Sequence, residues 1–136
     1  MPTTTERLAA MALAGGRLAI GAGIWLAPRP TLRALGFAEP ASQTMTLARI
    51  AGTRDLVLGG WQLASISDPE RLGGATRAVA ACDAGDALAF ALLLAAGERR
   101  AGLRGLAGAI PATALGLWLG RRLRRPSPKT VPQWPL

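Results

Sequence analysis

Long apolar stretches separated by short polar segments make up most of the chain. Four of them, at residues 8–27, 45–66, 74–96 and 103–120, have the length that a helix needs to cross the ~30 Å hydrocarbon core of a bilayer. Prolines, glycines and charged residues mark the breaks between them, where helices end and turns form. The pattern therefore predicts an all-α fold, a four-transmembrane-helix bundle.

The segment after the first stretch predicts one further, shorter element. Pro28 and Pro30 end the first helix, and the next apolar side chains, Leu32 and Leu35, fall on one side of a single helical turn or two. We expect a short interfacial helix here, with an ordinary loop as the alternative. Residues 1–125 then form one membrane domain, and residues 126–136 form a proline-rich basic tail.

Two other classes of protein fit the apolar stretches less well. A soluble four-helix bundle needs a polar face on each helix, whereas residues 87–96 and 101–119 are apolar nearly all round. A cleaved signal peptide needs an unbroken apolar segment and a small-residue cleavage site, but Arg17 interrupts the segment and Trp25 to Pro28 suits cleavage poorly.

Composition supports the membrane interpretation and excludes several chemistries. Charged residues make up 18% of the 136-residue chain, against about 25% in soluble domains. The net charge of +8 lies mainly at the ends of apolar stretches, without basic-aromatic motifs, so no nucleic-acid partner is expected. Histidine is absent and Cys82 is the single cysteine, which excludes a disulfide within the chain, a structural zinc site and a histidine-based triad. We expect no metal, cofactor or catalytic residue.

The distribution of basic residues predicts how the helices are oriented. Four crossings place both ends of the chain on one side, and that side carries more basic residues than the other. Positive charge is retained in the cytoplasm, so both ends are expected there, in a bacterial inner membrane. The basic residues that close the last stretch are expected to attract anionic lipid headgroups; they are Arg121, Arg122, Arg124 and Arg125.

Charged residues inside the apolar stretches are the candidate site. Charges at bilayer depth cost about 2.5–3.5 kcal/mol each, so they pair, face inward or serve a function. Three arginines balance three aspartates; they are Arg17, Arg49, Arg54, Asp55, Asp83 and Asp86. The second and third stretches should be antiparallel neighbours, which brings Arg54 to the depth of Asp83 and Asp86. Arg17 is expected to reach Asp55, and Arg49 to lie nearer a headgroup layer.

Small residues at four-residue spacing predict where helices approach closely. Such lines in the first and last stretches contain Gly15, Gly23, Gly108, Gly116 and Gly120. Helices in lipid associate through close backbone packing at such positions. The lines serve either packing within the chain, which we favour, or contact with a second copy.

Three functions remain open for the charged residues. Ion pairs can fix the register of the bundle. Arginines can bind an anionic or lipid ligand. Asp83 and Asp86 can form part of a proton or ion path. The first is favoured and predicts a non-catalytic scaffold or accessory subunit of a larger membrane complex or homo-oligomer. The alternative is a carrier or small enzyme with a polar intramembrane pocket.

Several short motifs also resemble a family of small bacterial four-helix integral membrane proteins of unknown function. They lie within residues 8–120 and are Gly16-Arg17-Leu18, Leu26-Ala27-Pro28, Ala48-Arg49, Gly52-Thr53-Arg54-Asp55 and Asp83-Ala84-Gly85-Asp86. The resemblance implies a four-helix membrane fold and supplies no activity.

Overall fold

The computed structural model of the chain describes residues 1–124, and within this range it contains five α-helices and no strand. The helices are α1 (Thr4–Leu26), α2 (Pro28–Ala34), α3 (Ser42–Ala64), α4 (Pro69–Ala95) and α5 (Arg99–Arg122). The predicted all-α class and the short helix after the first apolar stretch are confirmed. The predicted tail, residues 126–136, and Arg125 lie outside the described residues.

Local capping explains why α1 and α4 begin several residues before their apolar stretches. Thr3 caps α1: its Oγ1 accepts from the Glu6 backbone N–H at 3.3 Å, and the Glu6 carboxylate accepts from the Thr3 N–H at 2.7 Å. Asp68 caps α4 by accepting from the N–H groups of Glu70 and Arg71, with Pro69 in the first helical position.

The short helix α2 follows α1 directly, and the turn after it packs against the start of α5. This contact lies at the end of the molecule opposite to the start of α1. Gly36, just after α2, has φ +103°, and an added Cβ there would lie 2.8 Å from the backbone of Arg100 and Ala101 in α5. Only glycine combines that conformation with this close approach. Arg104 donates to the Ala34 carbonyl at 3.0 Å, which places a cation at the C-terminal end of α2.

The four long helices are arranged as two pairs. The most extensive contacts join α1 to α3 and α4 to α5, whereas α3 and α4 touch far less. The second and third stretches, which were expected to be antiparallel neighbours, are in contact, but α3 packs mainly on α1 and α4 mainly on α5. The reason is backbone approach: an added Cβ at Gly21 of α1 would lie 2.8 Å from the Gly52 carbonyl oxygen of α3, and one at Gly116 of α5 would lie 2.9 Å from the Ala80 Cβ of α4.

A small cluster of buried apolar side chains lies at the end of the molecule where α1 begins and α5 ends. Ala10 of α1, Leu72 of α4 and Leu119 of α5 meet there, and so bring both helix pairs together. Many large apolar side chains face outward, and they occur on every long helix. Leu26, Leu47, Leu88 and Leu103 are 86%, 68%, 63% and 56% exposed.

Two helices among the described residues, α1 and α4, are long and apolar enough to cross a membrane by length and composition. Only 28% and 17% of their most apolar windows are buried. α3 and α5 are of similar length but are less apolar, since α3 contains Arg49, Arg54 and Asp55 and α5 carries arginines at both ends.

Candidate functional site

Arg17 occupies the centre of the inward face of α1. The buried positions of this helix recur at intervals of three or four residues, and Ala14 and Gly21 flank Arg17 on the same face. Their small side chains leave room for the guanidinium, which is buried. Arg17 donates through Nη1 to Asp55 Oδ1 of α3 at 2.7 Å, and through Nη2 to Asp83 Oδ1 of α4. It therefore links the two helix pairs.

A second arginine completes the cluster from α3. Arg54 donates to both carboxylate oxygens of Asp86, through Nη1 at 2.9 Å and Nη2 at 2.7 Å. This bidentate arrangement is the strongest geometry available to an arginine and a carboxylate. Arg54 also donates to Asp55 Oδ1 from Nε at 3.3 Å and from Nη2 at 3.1 Å. Asp55 is thus shared by both arginines.

The contacts form a continuous chain in the order Asp83, Arg17, Asp55, Arg54, Asp86, which we call the charge cluster. It begins and ends on α4, where Asp83 and Asp86 lie three residues apart on one face. The predicted contact of Arg17 with Asp55 is present, and so is that of Arg54 with Asp86. Asp83 pairs with Arg17 and not with Arg54, because Arg17 of α1 enters between α3 and α4.

Arg49 is not part of the charge cluster, although the sequence grouped it with the other charges. It lies five residues before Arg54, which rotates it by about 140° around the helix at 3.6 residues per turn. Its guanidinium carbon lies 5.9 Å from the ring centroid of Trp25, a cation–π contact between α3 and α1. The Trp25 indole N–H donates to Thr53 Oγ1 at 3.1 Å, which fixes the ring.

Burial divides the charge cluster into an inner and an outer part. Arg17, Asp55 and Asp83 have side chains that are 7%, 12% and 7% exposed, whereas those of Arg54 and Asp86 are 36% and 31% exposed. The outer pair therefore lies at the seam between α3 and α4, where those helices touch little. Buried ions cost free energy unless they are paired and hydrogen-bonded, and each charge of the inner part has such a partner.

Asp83 carries one unsatisfied oxygen. Its Oδ1 accepts from Arg17, while its Oδ2 is buried without a hydrogen-bond partner among residues 1–124. Gln62 is similar: its Nε2 donates to Thr76 Oγ1 at 3.2 Å, and its Oε1 is buried and unpaired within the same range. Buried polar atoms without partners are uncommon in folded proteins.

The pair of Gln62 and Thr76 was missed by the sequence argument. A signal exists in the spacing of α3, where the buried residues are Gly52, Asp55, Gly59 and Gln62. These positions repeat every seven residues, which marks one inward face. Gln62 lies seven residues after Asp55 on that face, so it continues the polar interior toward the termini.

The glycines predicted to pack helices divide into two groups. Gly23 contacts Thr31 of α2, Gly116 contacts Ala80, and Gly120 contacts the Arg77 side chain. Gly15 and Gly108 are exposed, and an added Cβ would meet nothing within 4 Å at either, so their placement at helix contacts within the chain is wrong. On α1, a neighbouring line of residues that contains Ala14, Arg17 and Gly21 faces inward.

A shallow surface groove lies at the C-terminal end of α5. It has a volume of about 460 Å³ and is lined by Ala114, Leu117, Trp118, Arg121 and Arg122. The Arg122 guanidinium carbon lies 5.5 Å from the Trp118 ring centroid. The described residues contain no group of three or more histidine, cysteine, aspartate or glutamate side chains placed to hold a metal ion.

The chain was compared with protein-family models, curated proteins and solved structures, and nothing matches it in any of the three. The resemblance to a small four-helix membrane family therefore rests on the motifs of this chain alone.

Proposed function

We propose that the chain is an integral membrane protein in which α1, α3, α4 and α5 all span the bilayer. The observation that carries the proposal is the reversal of polarity: Arg17, Asp55 and Asp83 are buried, while large apolar side chains are exposed on every long helix. Water favours the opposite arrangement, and lipid favours this one. A helix of 23 or 24 residues is about 35 Å long, which suffices for the hydrocarbon core.

The less apolar helices α3 and α5 fit this proposal for separate reasons. In α3, Arg54 and Asp55 are neutralised by partners within the molecule, so they need not face lipid. In α5, the arginines lie near the two ends, where long basic side chains reach the headgroup layer. Trp118 beside Arg122 fits the same interfacial role.

Within this membrane protein, we propose a non-catalytic role as a scaffold or accessory subunit of a larger complex. Both guanidinium groups of the charge cluster are directed at aspartates of the same chain. Such a self-paired cluster fixes how the α1–α3 pair sits against the α4–α5 pair, an attested use of buried ionic groups. The proposed location is a bacterial inner membrane with both ends in the cytoplasm. Arg121, Arg122 and Arg124 would face anionic lipid headgroups there.

Affinity purification from native membranes in mild detergent tests the scaffold role. The scaffold proposal predicts co-purifying protein subunits in defined proportion to the chain. It also predicts that replacing exposed apolar residues on one helix face, for example Leu88→Ala with Leu92→Ala, releases a subunit without unfolding the chain. Recovery of the chain alone, across several detergents and with chemical crosslinking, contradicts the scaffold role.

A carrier or small enzyme for an anionic or lipid ligand is the second candidate. The observation that favours it is the partial exposure of Arg54 and Asp86 at the seam between α3 and α4. A ligand phosphate or carboxylate would have to displace Asp86 from Arg54. Mass spectrometry of lipids retained by the native chain and by Arg54→Gln distinguishes the two roles. Selective loss of one anionic species in the variant supports the ligand role.

A further inference from the structure

The charge cluster is not electrically neutral. The six charges found in the sequence cancel, but Arg49 contacts the face of the Trp25 ring and does not join the cluster. The contacts that remain join two arginines, Arg17 and Arg54, to three aspartates. With every group ionised, the cluster carries one excess negative charge. In a low-dielectric interior such an uncompensated charge is costly, and an acidic group there takes up a proton instead.

The hydrogen bonds indicate which aspartate carries that proton. Both oxygens of Asp86 accept from Arg54, and Asp55 Oδ1 accepts from Arg17 and Arg54 together. Asp83 accepts through Oδ1 alone, and its Oδ2 is buried without a partner among the described residues. A neutral carboxyl group fits this environment: its carbonyl oxygen accepts from Arg17, and its hydroxyl occupies the site of Oδ2.

Apart from Arg17, which Asp83 shares with Asp55, no residue within 1–124 supplies a compensating charge to Asp83. Arg17 faces it from α1, Arg54 and Asp55 lie on α3, and Asp86 is on its own helix. The part of α5 between Arg104 and Arg121 contains no titratable residue, so the helix packed most closely on α4 contributes none at this depth. Cys82, adjacent in sequence, is half-buried and has no positively charged form to offer.

We propose that the charge cluster is a binding site for a single proton, held on Oδ2 of Asp83. The proton comes from water and forms the O–H bond of a neutral carboxylic acid, which leaves Arg17, Arg54, Asp55 and Asp86 as two balanced ion pairs. The partly exposed pair of Arg54 and Asp86 lies about one helical turn from Asp83. Loss of the proton adds a negative charge at the junction of the two helix pairs. Proton uptake thus controls how firmly the pairs are joined.

The proposal rests on the buried cluster and on the membrane placement proposed above, and its test separates the two. The chain contains four aspartates, Asp55, Asp68, Asp83 and Asp86, so selective ¹³C labelling of the aspartate carboxyl carbon gives four NMR signals. We expect one neutral and three ionised carboxyl groups near neutral pH in lipid nanodiscs. Asp68, which caps α4 at the surface, serves as the internal ionised reference.

Assignment uses matched variants. Asp83→Glu should remove the neutral aspartate signal, whereas Asp86→Glu, which preserves the charge of the cluster, should leave one. If Asp83→Glu does not fold, the count in the unaltered chain still decides. Four ionised signals overturn the proposal, as does a neutral signal that belongs to Asp55 or Asp86. Ionised signals that shift when potassium replaces sodium also overturn it, because a metal cation would then fill the place of the proton. Membrane placement is measured separately by cysteine labelling, so a failure of either claim is recognised on its own.

Discussion

Arg17 on α1 donates a hydrogen bond to Asp83 on α4 across the junction of two helix pairs that otherwise touch little. Arg17 Nη1 also donates to Asp55 Oδ1 of α3 at 2.7 Å, so one buried side chain connects three helices. A buried apolar cluster of Ala10, Leu72 and Leu119 joins the pairs at the end where α1 begins and α5 ends. At the depth of Arg17, the polar contacts of the charge cluster join them instead.

Replacing Arg17 by leucine should therefore be the most damaging single change in the charge cluster. Arg17→Leu leaves Asp55 and Asp83 buried with one partner fewer, and breaking a buried pair in this way costs about 3–5 kcal/mol. Arg29→Leu, at an exposed position of α2, is the control and should change stability by about 0.5 kcal/mol or less. Denaturant unfolding of the purified protein in mixed micelles measures both. Equal stability of the two variants would contradict the structural role of Arg17.

Energetic coupling should follow the observed pairing of Arg54 with Asp86. A double-mutant cycle on Arg54→Leu and Asp86→Leu should give a coupling free energy of about 1–3 kcal/mol, because the two side chains share two hydrogen bonds. The cycle on Arg54→Leu and Asp83→Leu is the comparison, and we expect a clearly smaller value since no bond joins that pair. The reverse order would show that α4 presents a different aspartate to Arg54.

Adding one methyl group should distinguish packed from open glycines on α1. In Gly21→Ala the new Cβ would lie 2.8 Å from the Gly52 carbonyl oxygen, so the α1–α3 pair must separate at a cost of about 1–3 kcal/mol. Gly15→Ala meets nothing within 4 Å and should be neutral or stabilising by up to about 1 kcal/mol. Thermal unfolding of the two variants side by side measures the difference. Loss of stability in Gly15→Ala alone would indicate contact with another chain at that face.

The sequence predicted the helices well because the length of an apolar stretch and the prolines that end it are local properties of the chain. The segment around Pro28, the turn before Pro69 and the long apolar stretches need no knowledge of neighbouring helices. Charge position was also informative, since a charge inside an apolar stretch must find a partner. That reasoning identified Arg17, Arg54 and their aspartates before any geometry was known.

The details that failed depend on how helices rotate and pair. Gly15 and Gly21 both belong to plausible small-residue lines, and only the rotation of α1 decides which line faces α3. Arg49 and Arg54 are close in sequence but point in different directions, so their charges cannot simply be summed. Pairing of α1 with α3 in preference to α3 with α4 follows from backbone approach at Gly21 and Gly52, which no local pattern reports.

Cysteine labelling tests the central claim, four crossings with the charges inside, most directly. In a Cys82→Ala background, single cysteines are placed by Ser67→Cys between α3 and α4 and by Glu98→Cys between α4 and α5, both at exposed positions. Ala38→Cys, between α2 and α3, is the reference for the non-cytoplasmic side. Intact cells are treated with a membrane-impermeant thiol reagent. Four crossings predict that Glu98→Cys and Ala38→Cys are labelled and Ser67→Cys is protected. If only α1 and α4 cross, Ser67→Cys is labelled and Glu98→Cys is protected, and this result would contradict the proposed architecture.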